Sequence, residues 1–376
     1  MEYGEVCETE WGDELGKNIS TIEELKEHVK LSPREEKQLR KVIERHPMSI
    51  SRYYLSLIDW TDPDDPIRRM AVPRSEELVL AGSYDTSGEL ENTKLPGLQH
   101  KYAQTALILA TNRCAMYCRH CFRKRMIGIT EDEVIHRFEM AVSYIREHEE
   151  INNVLITGGD PFILSSETIG RMLEMLSDIE HLDFIRFGTR VPVTFPDRII
   201  HDDGLLDLLR LYSDDERRIY VVTQFNHPRE ITPQSISAVD SLIRSEVVVN
   251  NQTVLLRGVN DDPETMAELQ NRLVAIGVNP YYVFQCRPVK RVKHHFQVPL
   301  YRGYEIIEAA KKRLNGHSKR FRYIMSHKTG KIEIVGIIGD EIYLKYHQAK
   351  NPRNIGKFFK RRLNKTAGWL DELDRL

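Results

Sequence analysis

The chain has 376 residues, a length that fits a single α/β barrel with appendages. Its 54 basic and 56 acidic residues give a formal net charge of −2, which excludes an overall field that would draw it to nucleic acid or an anionic membrane. No stretch approaches the roughly 20 apolar residues that span a bilayer, and the N-terminus lacks a signal-peptide pattern. We therefore expect a cytoplasmic protein without nucleic-acid or membrane partners.

Residues 1–97 are predicted to form a helical N-terminal region followed by an irregular wrap. Ser32 is a predicted N-cap whose capping box is completed by Glu35, so a helix is expected to run toward Glu44. From residue 62 to 97 the chain is rich in Pro, Gly, Asp and Ser, which indicates an ordered wrap rather than a repeat of helices.

Residues 98–315 are predicted to form a partial (β/α)6 barrel of the TIM type. Apolar, β-branched runs alternate with amphipathic stretches, which is typical of parallel strands joined by right-handed crossovers. Helices are predicted to begin at Thr130, with Glu133 completing a capping box, at Thr232 and near Asp262. Active-site residues are expected just after the strands. Six strands are predicted, at 105–111, 153–159, 184–190, 219–225, 247–256 and 281–286.

Residues 316–376 are predicted to form a small β-rich extension. After Arg320, strand-like runs separated by glycines indicate an antiparallel meander. For the basic tail that follows, a solvated helix face is the favoured interpretation, and a nucleic-acid or lipid patch is the alternative.

Three of the five cysteines, Cys114, Cys118 and Cys121, lie in a loop directly after the first predicted barrel strand. Cys7 and Cys286 are far from them along the chain, so the pattern does not suit a disulfide framework and indicates a reducing compartment. Three thiolates can ligate three irons of a [4Fe–4S] cubane and leave the fourth iron open to a ligand with an amine and a carboxylate.

A Cys₃His zinc site that includes His120 is one alternative, although structural zinc usually uses two short ligand pairs. Three buried, unrelated cysteines are a second alternative. Basic residues around the loop argue against apolar burial and would offset the negative charge of a thiolate-bound cluster. These residues are Arg119, Arg123, Lys124 and Arg125.

The segment from Cys114 to Cys121, CAMYCRHC, resembles the cluster motif of the lysine 2,3-aminomutase family of radical S-adenosylmethionine (SAM) enzymes. Collinear matches extend from Asp62 to about Arg287. The resemblance implies a partial TIM barrel that binds the cluster, SAM and pyridoxal 5′-phosphate (PLP). It also implies an isomerase that moves the α-amino group of an amino acid to the β-carbon through a 5′-deoxyadenosyl radical.

By the same resemblance, Gly158, Gly159 and Asp160 form the loop whose backbone contacts the methionine amino group of SAM, an approach that glycine permits. Standing alone, this motif would be interpreted as an ordinary tight turn. Each further polar residue of the implied SAM pocket is equally compatible with a buried structural role. These further residues are Thr189, Arg190, His227 and Gln252.

The resemblance places the PLP lysine at Lys331, with Lys328 as the second choice. The run of four glycines that precedes this lysine in the family is reduced here to Gly330. The two family arginines that hold the PLP phosphate correspond to Lys101 and Thr105, so one charge is lost. A solvated lysine in a turn is therefore an alternative for Lys331, and altered or absent PLP use is an alternative for the enzyme.

Arg123 matches the family arginine that binds the substrate carboxylate, and charge compensation for the cluster is its alternative role. The two aspartates that recognise the distal ammonium in lysine-specific members correspond to Arg287 and Ile324. A lysine ammonium beside Arg287 would bring like charges together in a low dielectric. We therefore predict glutamate, or another non-cationic amino acid, as the substrate.

The predicted partners are a small amino acid and an electron donor of the flavodoxin or ferredoxin type, and a homo-oligomer is compatible with the sequence. The alternative from another functional class is a non-catalytic iron–sulfur or zinc-binding interaction protein. The implied SAM pocket argues against it, because a structural metal site has no need of a Gly-Gly-Asp loop.

Overall fold

A computed structural model of the chain describes residues 10–374, so Cys7 lies outside the described residues. Twelve strands form one mixed sheet in which each strand pairs with its neighbours along the chain. The strands are β1 (Thr93–Leu95), β2 (Leu98–Tyr102), β3 (Thr105–Thr111), β4 (Asn153–Gly158), β5 (Phe184–Gly188), β6 (Arg218–Thr223), β7 (Val248–Leu255), β8 (Asn279–Gln285), β9 (Arg322–His327), β10 (Gly330–Ile338), β11 (Glu341–Ala349) and β12 (Phe358–Arg362).

Strands β3 to β9 are parallel, which confirms the α/β class and all six predicted strands, β3 to β8. Strand β9 joins them as a seventh parallel strand, although the antiparallel meander was predicted to begin there. The reason is the helical crossover between β8 and β9, which returns the chain to the same end of the sheet. Strands β10 and β11 are antiparallel, as predicted. The helix face favoured for the basic tail is wrong at Phe358–Arg362, because these residues form β12 and pair antiparallel with β11.

The sheet curls around one cavity, because residues of every strand from β2 to β11 line it. The first and last strands of the sheet do not pair with each other, so the barrel stays open. These two observations confirm the predicted partial barrel. The proposed division of the chain at 97/98 and 315/316 stays a prediction, and the sheet continues across both positions.

Helices lie between the parallel strands and in the N-terminal region. Ser32 caps α3 with the predicted capping box, and helices begin as expected after Thr232 and Asp262. No helix within residues 10–374 is long and apolar enough to cross a bilayer. The helices are α1 (Glu10–Gly16), α2 (Ile22–Lys26), α3 (Pro33–Ile43), α4 (Arg52–Ser56), α5 (Pro66–Ala71), α6 (Glu89–Asn92), α7 (Phe138–Arg146), α8 (Ser166–Ser177), α9 (Val191–Thr194), α10 (Asp197–Ile200), α11 (Asp203–Leu211), α12 (Pro233–Arg244), α13 (Pro263–Ala275), α14 (Lys293–Phe296) and α15 (Leu300–Lys311).

The predicted helix start at Thr130 is wrong, since α7 begins only at Phe138. The carboxylate of Glu133 does not reach back to Thr130 but accepts hydrogen bonds from Arg125 at 2.8 and 2.6 Å. The Thr130 hydroxyl accepts from the backbone of Asp132 at 3.2 Å, which closes a turn instead of a helix. The Glu133 carboxylate that the capping box would need is therefore held in an ion pair with Arg125.

The N-terminal helices share their core with the barrel. Trp11, Ile22, Leu25 and Tyr54 belong to the same buried cluster as Ile156 of β4. The appendage is therefore packed on the outside of the barrel rather than folded around a core of its own. A second buried cluster joins α13 and α15 to strands β9 to β11.

Candidate active site

A cavity of about 340 Å³ opens at the C-terminal ends of the parallel strands. It contains most of the residues that the sequence singled out. Its predicted members are Cys114, Cys118, Cys121, Arg123, Gly158, Gly159, Asp160, Thr189, Arg190, Gln252, Lys101, Thr105, Arg287 and Lys331. We call the part around the cysteines the cluster end, and the part around Lys101, Arg186, Arg287 and Lys331 the lysine end.

The three cysteines are free thiols that line one cavity. Burial raises the pKa of Cys114 well above its usual range and that of Cys121 to about 11, and the neighbouring thiols add to both shifts. Thiols in such a place ionise only when a positive centre replaces their protons, which suits the irons of a cluster. Across residues 10–374, no group of three or more His, Cys, Asp or Glu side chains is arranged to hold a metal ion, and this holds for the three cysteines with or without His120. The cluster ligands and the zinc alternative both stay predictions.

The glycines after β4 are required by contact with the cysteine loop. Gly158 has a left-handed φ of 120°, and a Cβ there would meet the carbonyl oxygen of Thr111. A Cβ on Gly159 would meet the carbonyl of Arg113, to which Asp160 donates its backbone N–H at 2.8 Å. The Gly-Gly-Asp segment therefore fixes the start of the cysteine loop, in addition to lining the cavity.

Asp160 organises the next loop. Its carboxylate accepts hydrogen bonds from the Thr189 hydroxyl at 2.5 Å and from the Arg190 backbone at 2.6 Å. Arg190 in turn donates to Sγ of Cys118 at 2.9 Å and forms an ion pair with the buried Glu230. Arg190 therefore contacts one of the three predicted cluster cysteines, while its own charge is paired with Glu230.

Two buried carboxylates neutralise the basic residues of the cysteine loop. Glu77 accepts from Arg119 at 2.9 and 2.6 Å and from Lys124 at 2.6 Å. Glu89 pairs with Arg123 at 3.2 Å and with Arg125 at 2.7 Å. That these cations offset the charge of a bound cluster stays a prediction. Both carboxylates lie on residues 75–92, which we call the strap.

The two histidines singled out by the sequence, His227 and His120, differ in whether they line the cavity. His227 does not line the cavity, and its Nδ1 accepts a hydrogen bond from the backbone of Arg229 at 3.1 Å. It caps a short 3-10 helix, so the structure does not bring it to the other predicted site residues. His120 lines the cavity, but its Nε2 lies 3.0 Å from the amide nitrogen of Gln224.

At the lysine end, Lys331 points into the cavity from the start of β10, opposite Ser326 of β9. Its Nζ lies 4.9 Å from the ring centre of Tyr282. Burial, together with the nearby Arg186 and other cations, lowers the pKa of Lys331 to about 7. Lys328 is exposed in the adjoining turn and does not line the cavity.

The other cations of the lysine end are held by neutral groups. Lys101 donates to the carbonyl oxygens of Ser87 at 2.9 Å and His327 at 2.7 Å, and burial lowers its pKa to about 7. Arg287 donates to the hydroxyls of Ser87 at 2.8 Å and Ser326 at 3.1 Å. Within residues 10–374, no carboxylate forms an ion pair with Lys101, Arg287 or Lys331.

Sequence reasoning missed several members of this cavity. Arg186 sits mid-strand in β5 and its Nε has no hydrogen-bond partner within the described chain. An arginine at an inward position of a barrel strand was the available signal. Ile324, predicted to face the substrate, is buried but does not line the cavity, whereas Ser326, two residues later on β9, does. Glu89 and Ser87 also line the cavity, but neither belongs to a motif that points to a functional role.

Comparisons with known proteins agree with this geometry. The family model of the radical SAM superfamily matches residues 108–269. The L-lysine 2,3-aminomutase of Clostridium subterminale is 38% identical over 325 residues, covering 85% of this chain and 76% of that protein. The glutamate 2,3-aminomutase of Clostridioides difficile is 37% identical, covering 80% of this chain and 71% of that protein. Similarity to these radical SAM aminomutases implies that the chain binds a [4Fe–4S] cluster and SAM and that it is an isomerase. The chain belongs to the lysine 2,3-aminomutase family of radical SAM enzymes.

Proposed function

We propose that this radical SAM aminomutase uses PLP at Lys331 and acts on an amino acid with an anionic side chain, glutamate first. The observation that carries the proposal is the lysine end, where Lys101, Arg186, Arg287 and Lys331 share a cavity without a paired carboxylate. A buried charge without a partner costs about 3–5 kcal/mol. Anionic ligands that enter this part of the cavity would recover that cost.

The two carboxylates of the cavity are already committed. Glu89 pairs with Arg123 and Arg125, and Asp160 accepts from Thr189 and from the Arg190 backbone. Burial opposes ionisation of Glu89, but its arginines outweigh burial and lower its pKa to about 2. A lysine substrate would therefore find no free carboxylate for its distal ammonium, and would meet Arg287 instead.

We assign the cluster to Cys114, Cys118 and Cys121, and SAM to the loop after β4. When bound, the cluster and SAM supply a carbon radical that takes a hydrogen atom from the substrate, and PLP supplies an electron sink for moving an amino group between adjacent carbons. The protein contributes a water-poor barrel interior lined by these residues. The cavity residues proposed for SAM are Gly158, Gly159, Asp160, Thr189, Arg190 and Gln252.

Some residues of the lysine end are proposed to bind the cofactor and others to bind the substrate. Lys101 and Arg186 are proposed to face the PLP phosphate, since a phosphate needs donors and positive charge at one place. The lowered pKa of Lys331 keeps part of its amine neutral at pH 7, which the bond to the PLP carbonyl requires. Arg123 is proposed to bind the α-carboxylate and Arg287 the side-chain carboxylate. One relative of this chain carries the name glutamate 2,3-aminomutase, which is consistent with this choice of substrate.

The electron that SAM cleavage consumes is proposed to come from a flavodoxin- or ferredoxin-type donor. Whether the chain forms a homo-oligomer is a separate question that sedimentation of the reconstituted enzyme answers.

Substitution of Arg287 tests the substrate assignment. We expect R287M to lower kcat/KM for glutamate about 100-fold, because losing one partner of a buried charged contact costs about 2–5 kcal/mol. Turnover of uncharged glutamine should fall less than about threefold, since it makes no charged contact. R287K, which keeps the charge but loses the fork of donors, should lie between. Equal losses for glutamate and glutamine would contradict the assignment. Product formation after anaerobic reconstitution is the measurement.

Substitution of Lys331 tests PLP use. K331A is expected to lose amino-acid turnover and the visible absorbance of bound PLP, while still cleaving SAM under reductant. K328A is the matched control, because Lys328 lies three residues away and is exposed. Full turnover by K331A would show that the enzyme works without PLP at this lysine.

A further inference from the structure

The strap carries two buried glutamates with different surroundings. Both Glu77 and Glu89 bind two cations of the cysteine loop, and neither side chain is exposed by more than 8%. The cations of Glu77 are Arg119 and Lys124, which do not line the cavity. Glu89 lines the cavity itself and holds Arg123, which lines it too. Of the two glutamates, only Glu89 therefore pairs with a cation that faces the cavity.

We propose that Glu89 is a positioning residue that aims Arg123 at the carboxylate of the substrate. The inference rests on the proposed role of Arg123. Glu89 accepts from Nε of Arg123 at 3.2 Å, and the carbonyl of Gly158 accepts from its Nη1 at 3.3 Å. In the described part of the chain, Nη2 of Arg123 has no hydrogen-bond partner. These two contacts use two of the five N–H donors of the guanidinium and leave others for a ligand.

Glu89 also places a negative charge near two like charges. The guanidinium carbons of Arg123 and Arg287 lie 4.5 and 4.0 Å from the ring centre of Phe122. Glu89 forms an ion pair with Arg123, and the positive charges of Arg123 and the more distant Arg287 both lower the pKa of its carboxyl. Without this negative charge, the two guanidiniums would repel each other across the Phe122 ring. Glu89 therefore allows both to stay in the cavity before the substrate arrives.

The position of Glu89 is fixed by the turn that precedes α6. Gly88 has a left-handed φ of 69°, and the Asp85 carboxylate accepts from the backbone N–H of Glu89 at 2.9 Å. Arg125, the other partner of Glu89, is also held by Glu133 at 2.6 Å. Loss of the Glu89 charge should therefore release Arg123 while Arg125 keeps an anionic partner.

The test compares E89Q with E77Q, which removes the same charge from the same strap. We expect E89Q to raise KM for the amino acid at least about tenfold with kcat within about threefold, and to keep wild-type iron and sulfide content. E77Q is expected to lower cluster content and leave KM of the loaded fraction unchanged. E89D, which keeps the charge on a shorter stem, should recover part of the KM shift.

R123Q separates failure of this inference from failure of the proposed function. If R123Q raises KM and E89Q does not, the positioning role of Glu89 is wrong while carboxylate binding by Arg123 stands. If R123Q leaves KM unchanged, the proposed role of Arg123 is wrong. Loss of iron in E89Q to the same degree as in E77Q would make Glu89 a structural residue and overturn the inference.

Discussion

The cluster end and the lysine end of the cavity differ in how their charges are paired. At the cluster end, Arg190 lies between Glu230 and Sγ of Cys118, and the cations beside the cysteines bind Glu77 or Glu89. At the lysine end, Lys101, Arg186, Arg287 and Lys331 donate to neutral groups or to none. Within residues 10–374, the cations of the first end are paired with carboxylates, whereas those of the second end form no ion pair with a carboxylate.

We infer from this difference that the cluster end keeps its side chains in fixed positions, whereas the lysine end is suited to bind anionic ligands. A paired buried charge orients the groups around it and resists replacement. An unpaired buried cation favours any anion of suitable shape, so the ligand determines its final partner. We therefore expect the paired end to hold the geometry of the cysteine loop, and the choice of substrate side chain to depend on the unpaired end, where PLP is also proposed to bind.

The largest expected effect separates the two ends by stability. In cluster-free protein, R190M should lower the free energy of unfolding by about 3–5 kcal/mol, because Glu230 is left buried without its cation. R186M at the lysine end should raise it by about 1 kcal/mol, because it removes a buried charge that has no anion. Urea unfolding of both variants measures this. Destabilisation of similar size in both would remove the distinction between the ends.

A smaller effect concerns the pH at which Lys331 reacts. Its lowered pKa of about 7 means that the amine is mostly protonated below pH 7 and mostly neutral above it. An ordinary lysine becomes mostly neutral only above about pH 10. The rate at which apoprotein captures PLP should therefore rise with an apparent pKa of about 7. Borohydride trapping followed by peptide mass spectrometry measures the rate at Lys331. A rate still rising steeply above pH 9 would show that the lysine is not buried among cations.

Local pattern predicted the fold well because strands and helix caps depend on neighbouring residues. The six strands and the Ser32 capping box are of this kind. Thr130 failed because Glu133 binds Arg125, a contact set by tertiary structure. The pairing of Glu89 with Arg123 joins positions 34 residues apart, so no local pattern indicated it. Resemblance identified Lys331 and Arg287, but only folding shows which cations lack anions.

Competition between substrates tests the central claim most directly. Anaerobically reconstituted wild-type enzyme receives glutamate and lysine at equal concentration in one reaction, and the ratio of products reports the ratio of kcat/KM values. We expect β-glutamate to exceed β-lysine by at least about tenfold, because the lysine end offers cations and no free carboxylate. A mixture dominated by β-lysine would contradict the interpretation of Arg287 and of the unpaired cations around it.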